Sequence, residues 1–419
     1  MVITSLDKDK LKKDFIRIWI DESNEFPEFK EKISLYKKIE NEERLNKCID
    51  QIFKLIKEFS SDINEQGVWK TKIKEVLKRS FFISYSEDFP PSMDEFVNKF
   101  FYITETFFME ARTFDKEISI EDILQAMRNV WSMCLIQLLL EEEIEFTPSI
   151  FAYSMLYPYT DNYLDDLNIS GTEKNKFNCD LKKRLKGELH IETNKNNDKI
   201  FKLIEMIEGQ FERDKYLQVF ESLVDIQEAQ ERSLIQHKKN IKLNEKELLD
   251  ISVEKGGFSV LASGYLIKGL LTEKQIFFLY GYGFLLQLCD DLQDVKVDIK
   301  NNHNTLISRV GERWNLDSVT NNLFNFNNFI SSLLNEFDLS DMEWIEDFVE
   351  KKMLNLLFFS VCKNKKFYSK KYFKCMEEYF PYRSKYIIKL NKKVNKKYKR
   401  LIKKVGREKI NEAIICALS

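Results

Sequence analysis

The sequence predicts an all-α fold. Three observations carry that reading: prolines are scarce, helix-start signals recur, and apolar residues follow them at spacings of three or four. Only six prolines occur in 419 residues, and none lies between Pro158 and Pro381. A sandwich or barrel would need frequent turns, which draw on proline, whereas an interior proline breaks a helix.

The start signals come in order along the chain. Ser92 to Glu95 after Pro90-Pro91, Ser119 to Asp122, Ser170 to Glu173 and Thr272 to Gln275 have capping-box spacing or a close variant. Thr147 before Pro148 pairs an N-cap residue with proline at the first helical position. Six of the twelve glycines (Gly256, Gly257, Gly264, Gly269, Gly281 and Gly283) fall in one short region. That clustering calls for close backbone approach or a broken helix.

Composition sets the class. Hydrophobic residues make up 43% of the chain and charged residues 32%, a balance that supports a sizeable core and excludes general disorder. The polar stretches are short, and none resembles an interdomain linker. The expected division is an N-terminal helical layer over 1–110, packed on a main helical domain over 111–419. A net charge of -2 supplies no whole-chain attraction to nucleic acid, which is not expected as a partner. The three histidines are dispersed, so a bound metal is expected on oxygen ligands. Seven cysteines with no CxxC spacing point to a reducing cytoplasm. The first residues turn charged too early for a secretory signal, and charges interrupt every apolar run, so a soluble or peripheral protein is expected.

Two acidic segments carry the chemistry. The first, Tyr157 to Asp166 (YPYTDNYLDD), ends the helix that begins at Pro148, and Asp161 and Asp165 lie one turn apart on one face. Pro158 predicts a kink just before them. The second, Tyr280 to Asp294 (YGYGFLLQLCDDLQD), places Asp290 and Asp294 on one face beside Asp291 after an almost wholly apolar approach. Carboxylates so placed repel one another, and a hard cation completed by substrate phosphates offsets that repulsion. Two such helices facing each other would clamp a diphosphate.

The segment Gly283 to Asp294, with Gln287 three residues before the paired aspartates, resembles the second aspartate-rich motif of class I isoprenoid synthases, the superfamily of trans-prenyltransferases and terpene synthases. Lys255-Gly-Gly-Phe resembles the Lys-Thr segment that holds diphosphate beside a broken helix, and Asp161 to Asp166 resembles the first aspartate-rich motif. The resemblance covers roughly residues 120 to 310. It implies a helical bundle around a central cavity and a Mg2+ cluster on Asp161, Asp165, Asp290 and Asp294, with Asp166 and Asp291 in support. It implies contacts to a prenyl diphosphate from Lys255. The chain departs from elongating enzymes in lacking an arginine pair after the first motif, where only Lys174 and Lys176 occur.

Other residues carry two readings each. Arg128, in a nearly apolar helix, is a diphosphate or aspartate contact, or one half of a structural ion pair. Asp225, Glu228 and Glu231, with Gln236 and His237 beyond them, form a solvated face or line the pocket mouth. Arg383 and Tyr386 resemble the Arg/Tyr pairs that close over diphosphate in terpene synthases, a role that suits the planar guanidinium fork. The densely basic stretch Lys385 to Lys409 forms an amphipathic helix against the domain, or touches an anionic membrane. The resulting expectation is a Mg2+-dependent terpene synthase that ionises a prenyl diphosphate in an apolar, aromatic-walled cavity, for which the 34 phenylalanines are sufficient in number, though a large core would use many of them anyway. A chain-elongating synthase and a noncatalytic helical partner are the alternatives.

Overall fold

A computed structural model describes residues 6–81, 91–166, 168–188, 195–238, 241, 243–337 and 344–418. All regular structure among them is helical, as the sequence predicts. The helices are α1 (Lys8–Asp21), α2 (Leu35–Glu58), α3 (Ile63–Phe81), α4 (Pro91–Phe114), α5 (Ile120–Leu139), α6 (Pro148–Asp165), α7 (Gly171–Leu185), α8 (Lys195–Gln210) and α9 (Leu217–Ser233). There follow α10 (Glu245–Lys268), α11 (Glu273–Asn301), α12 (Leu306–Arg313), α13 (Asp317–Ser332), α14 (Trp344–Lys363), α15 (Lys370–Glu377), α16 (Ser384–Val405) and α17 (Arg407–Leu418).

Local chemistry explains most helix starts. Ser119, Thr147, Ser170 and Thr272 each accept a backbone N–H of the first turn, and Ser170–Glu173 and Thr272–Gln275 are complete capping boxes. Ser92 departs from expectation: α4 already begins at Pro91, and the Ser92 hydroxyl instead accepts the Trp344 indole N–H at 3.1 Å.

The centre of the molecule is the antiparallel pair α10 and α11, about 36 and 44 Å long at 1.5 Å per residue. α10 packs against α1, α5, α6, α9 and α12 as well as α11, and α11 packs against α12, α13 and α14. α10 runs unbroken through Gly256 and Gly257, so the glycines serve close approach and not a helix break. A Cβ built on Gly256 would lie 2.4 Å from the Gly283 carbonyl oxygen, and one on Gly283 would lie 2.1 Å from that of Gly256. Gly257 leaves room for the Tyr280 ring, whose atoms would come within 2.5 Å of a Cβ there.

The main core draws on residues from both sides of residue 110. Leu11, Phe15 and Trp19 of α1 and the apolar face of α4 belong to the main core. Phe15 packs on Phe277 and Tyr280, and Trp19 on Phe284 and Phe326. Lys8–Asp225 (2.6 Å) and Lys12–Glu254 (2.9 Å) ion pairs tie α1 to α9 and α10. A separate small cluster joins Phe59, Trp69 and Ile73 to Ala413 of α17. Residues that sequence order assigns to one layer are thus shared out by apolar matching, with α17 packing on α2, α3 and α4.

No described helix is long and apolar enough to cross a membrane. All seven cysteines are free. Gly283→Ala should lower stability by about 3 kcal/mol or more, because the new methyl meets backbone and not a movable side chain. Gly67→Ala, in a helix with nothing within 4 Å of the added Cβ, should raise it by about 0.5–1 kcal/mol. Chemical denaturation of both variants checks the contrast.

Candidate functional site

The close contact of α10 and α11 borders a cavity of about 360 Å3. Six helices wall it. Asn129 and Ser132 come from α5, Tyr153, Leu156, Tyr157 and Thr160 from α6, Leu181 and Leu185 from α7, and Leu223, Ile226, Gln227 and Gln230 from α9. Lys255, Gly256, Ser259, Val260 and Ser263 of α10 and Gly283, Leu286, Gln287 and Asp290 of α11 complete it. Seven of these residues are aliphatic and present an unbroken opportunity for hydrocarbon contact; the rest are amides, hydroxyls, the two glycines and one charge of each sign.

Both acidic segments reach this cavity, though not residue for residue. Asp290 lies on its wall with an edge open to solvent, while the surrounding helices strip enough water to raise its pKa; the Asp294 charge adds to the rise. Lys255 and Arg128 act in the opposite sense. On α6, Tyr157 lines the cavity and lies one helical turn before Asp161. Burial raises the Tyr157 pKa, with the Asp161 charge second, and the Arg128 charge lowers it. Burial likewise pushes the Tyr153 phenol up to about 12, and Asp161 contributes to that rise. Arg128 therefore sits within electrostatic reach of both acidic segments. It is exposed, not buried as its apolar sequence neighbours implied, and forms no ion pair among the described residues.

The remaining acids are engaged elsewhere. Asp291 is buried at 4% exposure, accepting from Gln287 at 2.8 Å and from Ser252 at 3.3 Å, and burial pushes its pKa up to about 7. It supports Gln287, which does line the cavity. Asp294 pairs with Lys363 at 3.2 Å, both side chains 43% exposed. Asp166 caps the end of α6 and accepts the backbone and side-chain N–H groups of Asn168. Asp165 ends α6, and its side chain lies outside the described residues.

Arg383 and Tyr386 are absent from the cavity. Arg383 forks onto the buried Glu42 carboxylate at 2.6–3.1 Å, and the Tyr386 hydroxyl meets Asn46 at 3.2 Å, so both fasten α16 to α2. The physical reason is that Glu42 is 3% exposed and needs a fixed cation. Of the α9 acids, Asp225 pairs with Lys8, and Glu228 and Glu231 pair with Lys182. α9 does line the cavity, but through Leu223, Ile226, Gln227 and Gln230, a stripe at helical spacing that attention to the acids had hidden. No phenylalanine lines it; Tyr153 and Tyr157 are its only aromatic residues among the lining side chains.

Among the described residues no three His, Cys, Asp or Glu side chains are grouped to hold a metal ion by themselves. Mg2+ keeps several waters and takes one or two carboxylates plus substrate phosphates, so Asp161 and Asp290 suit it as donors. Asp294 could join by leaving its exposed pairing with Lys363, a bond of small worth. Comparison of the chain with protein-family models, curated proteins and solved structures found no match.

Asp291 has a folded-state pKa raised to about 7, so its burial costs the fold nothing below about pH 4, progressively more as the pH rises toward 7, and a constant full amount above that. Asp291→Asn should therefore melt above the wild type near pH 8, with the gap narrowing below about pH 7 and closing only as the pH falls toward about 4. Thermal melting across that range checks it; a gap that does not change with pH would show an ordinary carboxylate.

Proposed function

We propose that the cavity takes a prenyl diphosphate and that the protein is a Mg2+-dependent class I isoprenoid enzyme, in the first instance a terpene synthase. The observation that supports this most is the meeting, at one cavity with an aliphatic wall, of Asp290, Lys255 and the helix that carries Asp161. A diphosphate with a hydrocarbon tail matches that division: an anionic head for cations and metal, an apolar tail for Leu156, Leu181, Leu185, Leu223, Ile226, Val260 and Leu286. The helical bundle around it is read as class I in kind on the same ground.

In this reading Asp161 and Asp290 hold the metal, with Asp294 in reserve, and Lys255 and Arg128 hold the diphosphate oxygens. Bound Mg2+ would supply Lewis-acid stabilisation of the leaving diphosphate. The allylic carbon–oxygen bond breaks heterolytically, diphosphate takes the electron pair, and the cation yields a hydrocarbon on losing a proton. Tyr153 and Tyr157 offer ring faces to positive charge. Asp291 orients Gln287 on the wall by the 2.8 Å bond it accepts.

The test incubates purified protein with Mg2+ and a ladder of prenyl diphosphates, with and without isopentenyl diphosphate, and analyses extracts by mass spectrometry. Hydrocarbon products support the synthase, and longer diphosphates appearing only with isopentenyl diphosphate indicate elongation. Absence of products, with a melting temperature unmoved by Mg2+ and inorganic diphosphate, would leave a noncatalytic helical protein. Asp290→Asn should lower turnover on the order of a thousandfold without lowering stability, since it removes a metal-binding charge and also a repulsion. Product formation and melting, measured on the same preparation, check both halves.

A further inference from the structure

We propose that the outer face of α16 docks on an anionic lipid bilayer. The helix carries nine lysines, one arginine and no carboxylate in 22 residues, although the whole chain has a net charge of -2. Its inner face is anchored: Ile387 and Leu401 are buried, Lys397 pairs with Asp50, and Lys393 reaches Asn46 at 2.6 Å. The outer face is left to Lys385, Lys389, Lys392, Lys396, Lys399 and Lys403, all exposed and without a carboxylate partner among the described residues. At 1.5 Å per residue the row from Lys385 to Lys403 is a straight cationic ridge about 27 Å long, a shape that meets a plane along its whole length.

Two features favour lipid over nucleic acid. The cations are almost all lysines, which act as point charges near a diffuse anionic surface, whereas phosphate backbones are gripped by arginine forks and stacked aromatics. Ile388 is 43% exposed at the rim of the ridge, where it would enter the headgroup layer as an apolar foot. The inference is independent of the cavity's chemistry and survives its failure.

The test is cosedimentation of the full chain with vesicles of phosphatidylcholine alone and of phosphatidylcholine mixed with phosphatidylglycerol. Binding is expected only to the mixed vesicles, with release in roughly 1 M salt, where the Debye length falls to about 3 Å. Combined Lys389→Gln, Lys392→Gln, Lys396→Gln and Lys403→Gln should reduce partitioning by roughly 600-fold, at about fivefold per charge, with an unchanged melting temperature. Failure to bind mixed vesicles, equal binding to neutral ones, or undiminished binding by the variant would overturn the proposal. Displacement from mixed vesicles by an equimolar duplex oligonucleotide would overturn it in favour of nucleic acid.

Discussion

The structure depends on how closely α10 and α11 approach. Gly256 and Gly283 meet backbone to backbone, so neither position has room for a side chain. A Cβ at Gly256 would also strike the Gln287 Cβ at 2.7 Å, which means that the same contact fixes where Gln287 lies. Lys255 precedes one glycine, and Asp290 lies two turns beyond the other. The register of this helix pair therefore sets the separation of cation, amide and carboxylate on the cavity wall. Such a contact is rigid because backbone atoms cannot rotate away as side chains do.

Much of the fold was legible in the sequence because it rests on local chemistry. The caps at Ser119, Thr147, Ser170 and Thr272 are decided within four residues, and the structure keeps each of them. Which helices share the main core was not legible, because membership of a core is a long-range property. Phe15 and Trp19 look like any amphipathic pair until Phe277, Phe284 and Phe326 supply their partners.

The candidate site was legible in the same uneven way. Asp290 and Lys255 line the cavity, and Asp161 lies one turn from Tyr157, which does as well. Asp291, one residue from Asp290, turns inward by about 100° of helix and becomes a buried support. Arg383 was misread because an arginine that suits phosphate suits a buried glutamate equally well, and Glu42 lies 341 residues away in sequence. The phenylalanines went to the core, which uses aromatic bulk throughout, while the cavity wall uses leucine and amides.

The place of α1 bears on the order in which the molecule assembles. Its rings pack on α11 and on Phe326 of α13, and the Asn322 side-chain amide donates to the Trp19 carbonyl at 3.0 Å, across 303 residues. During synthesis α1 emerges long before the surface that receives it. Until α11 and α13 are made, the aromatic edge of α1 lacks the rings it packs on, although α9 and α10 already offer Asp225 and Glu254 to its lysines. Closing so long a loop costs little more in entropy than closing one half its length, so the burden falls on the rate of folding and on exposure to aggregation while the segment waits. α1 thus acts as a late keystone, and a ribosome-bound chain would require protection of this short stretch in particular.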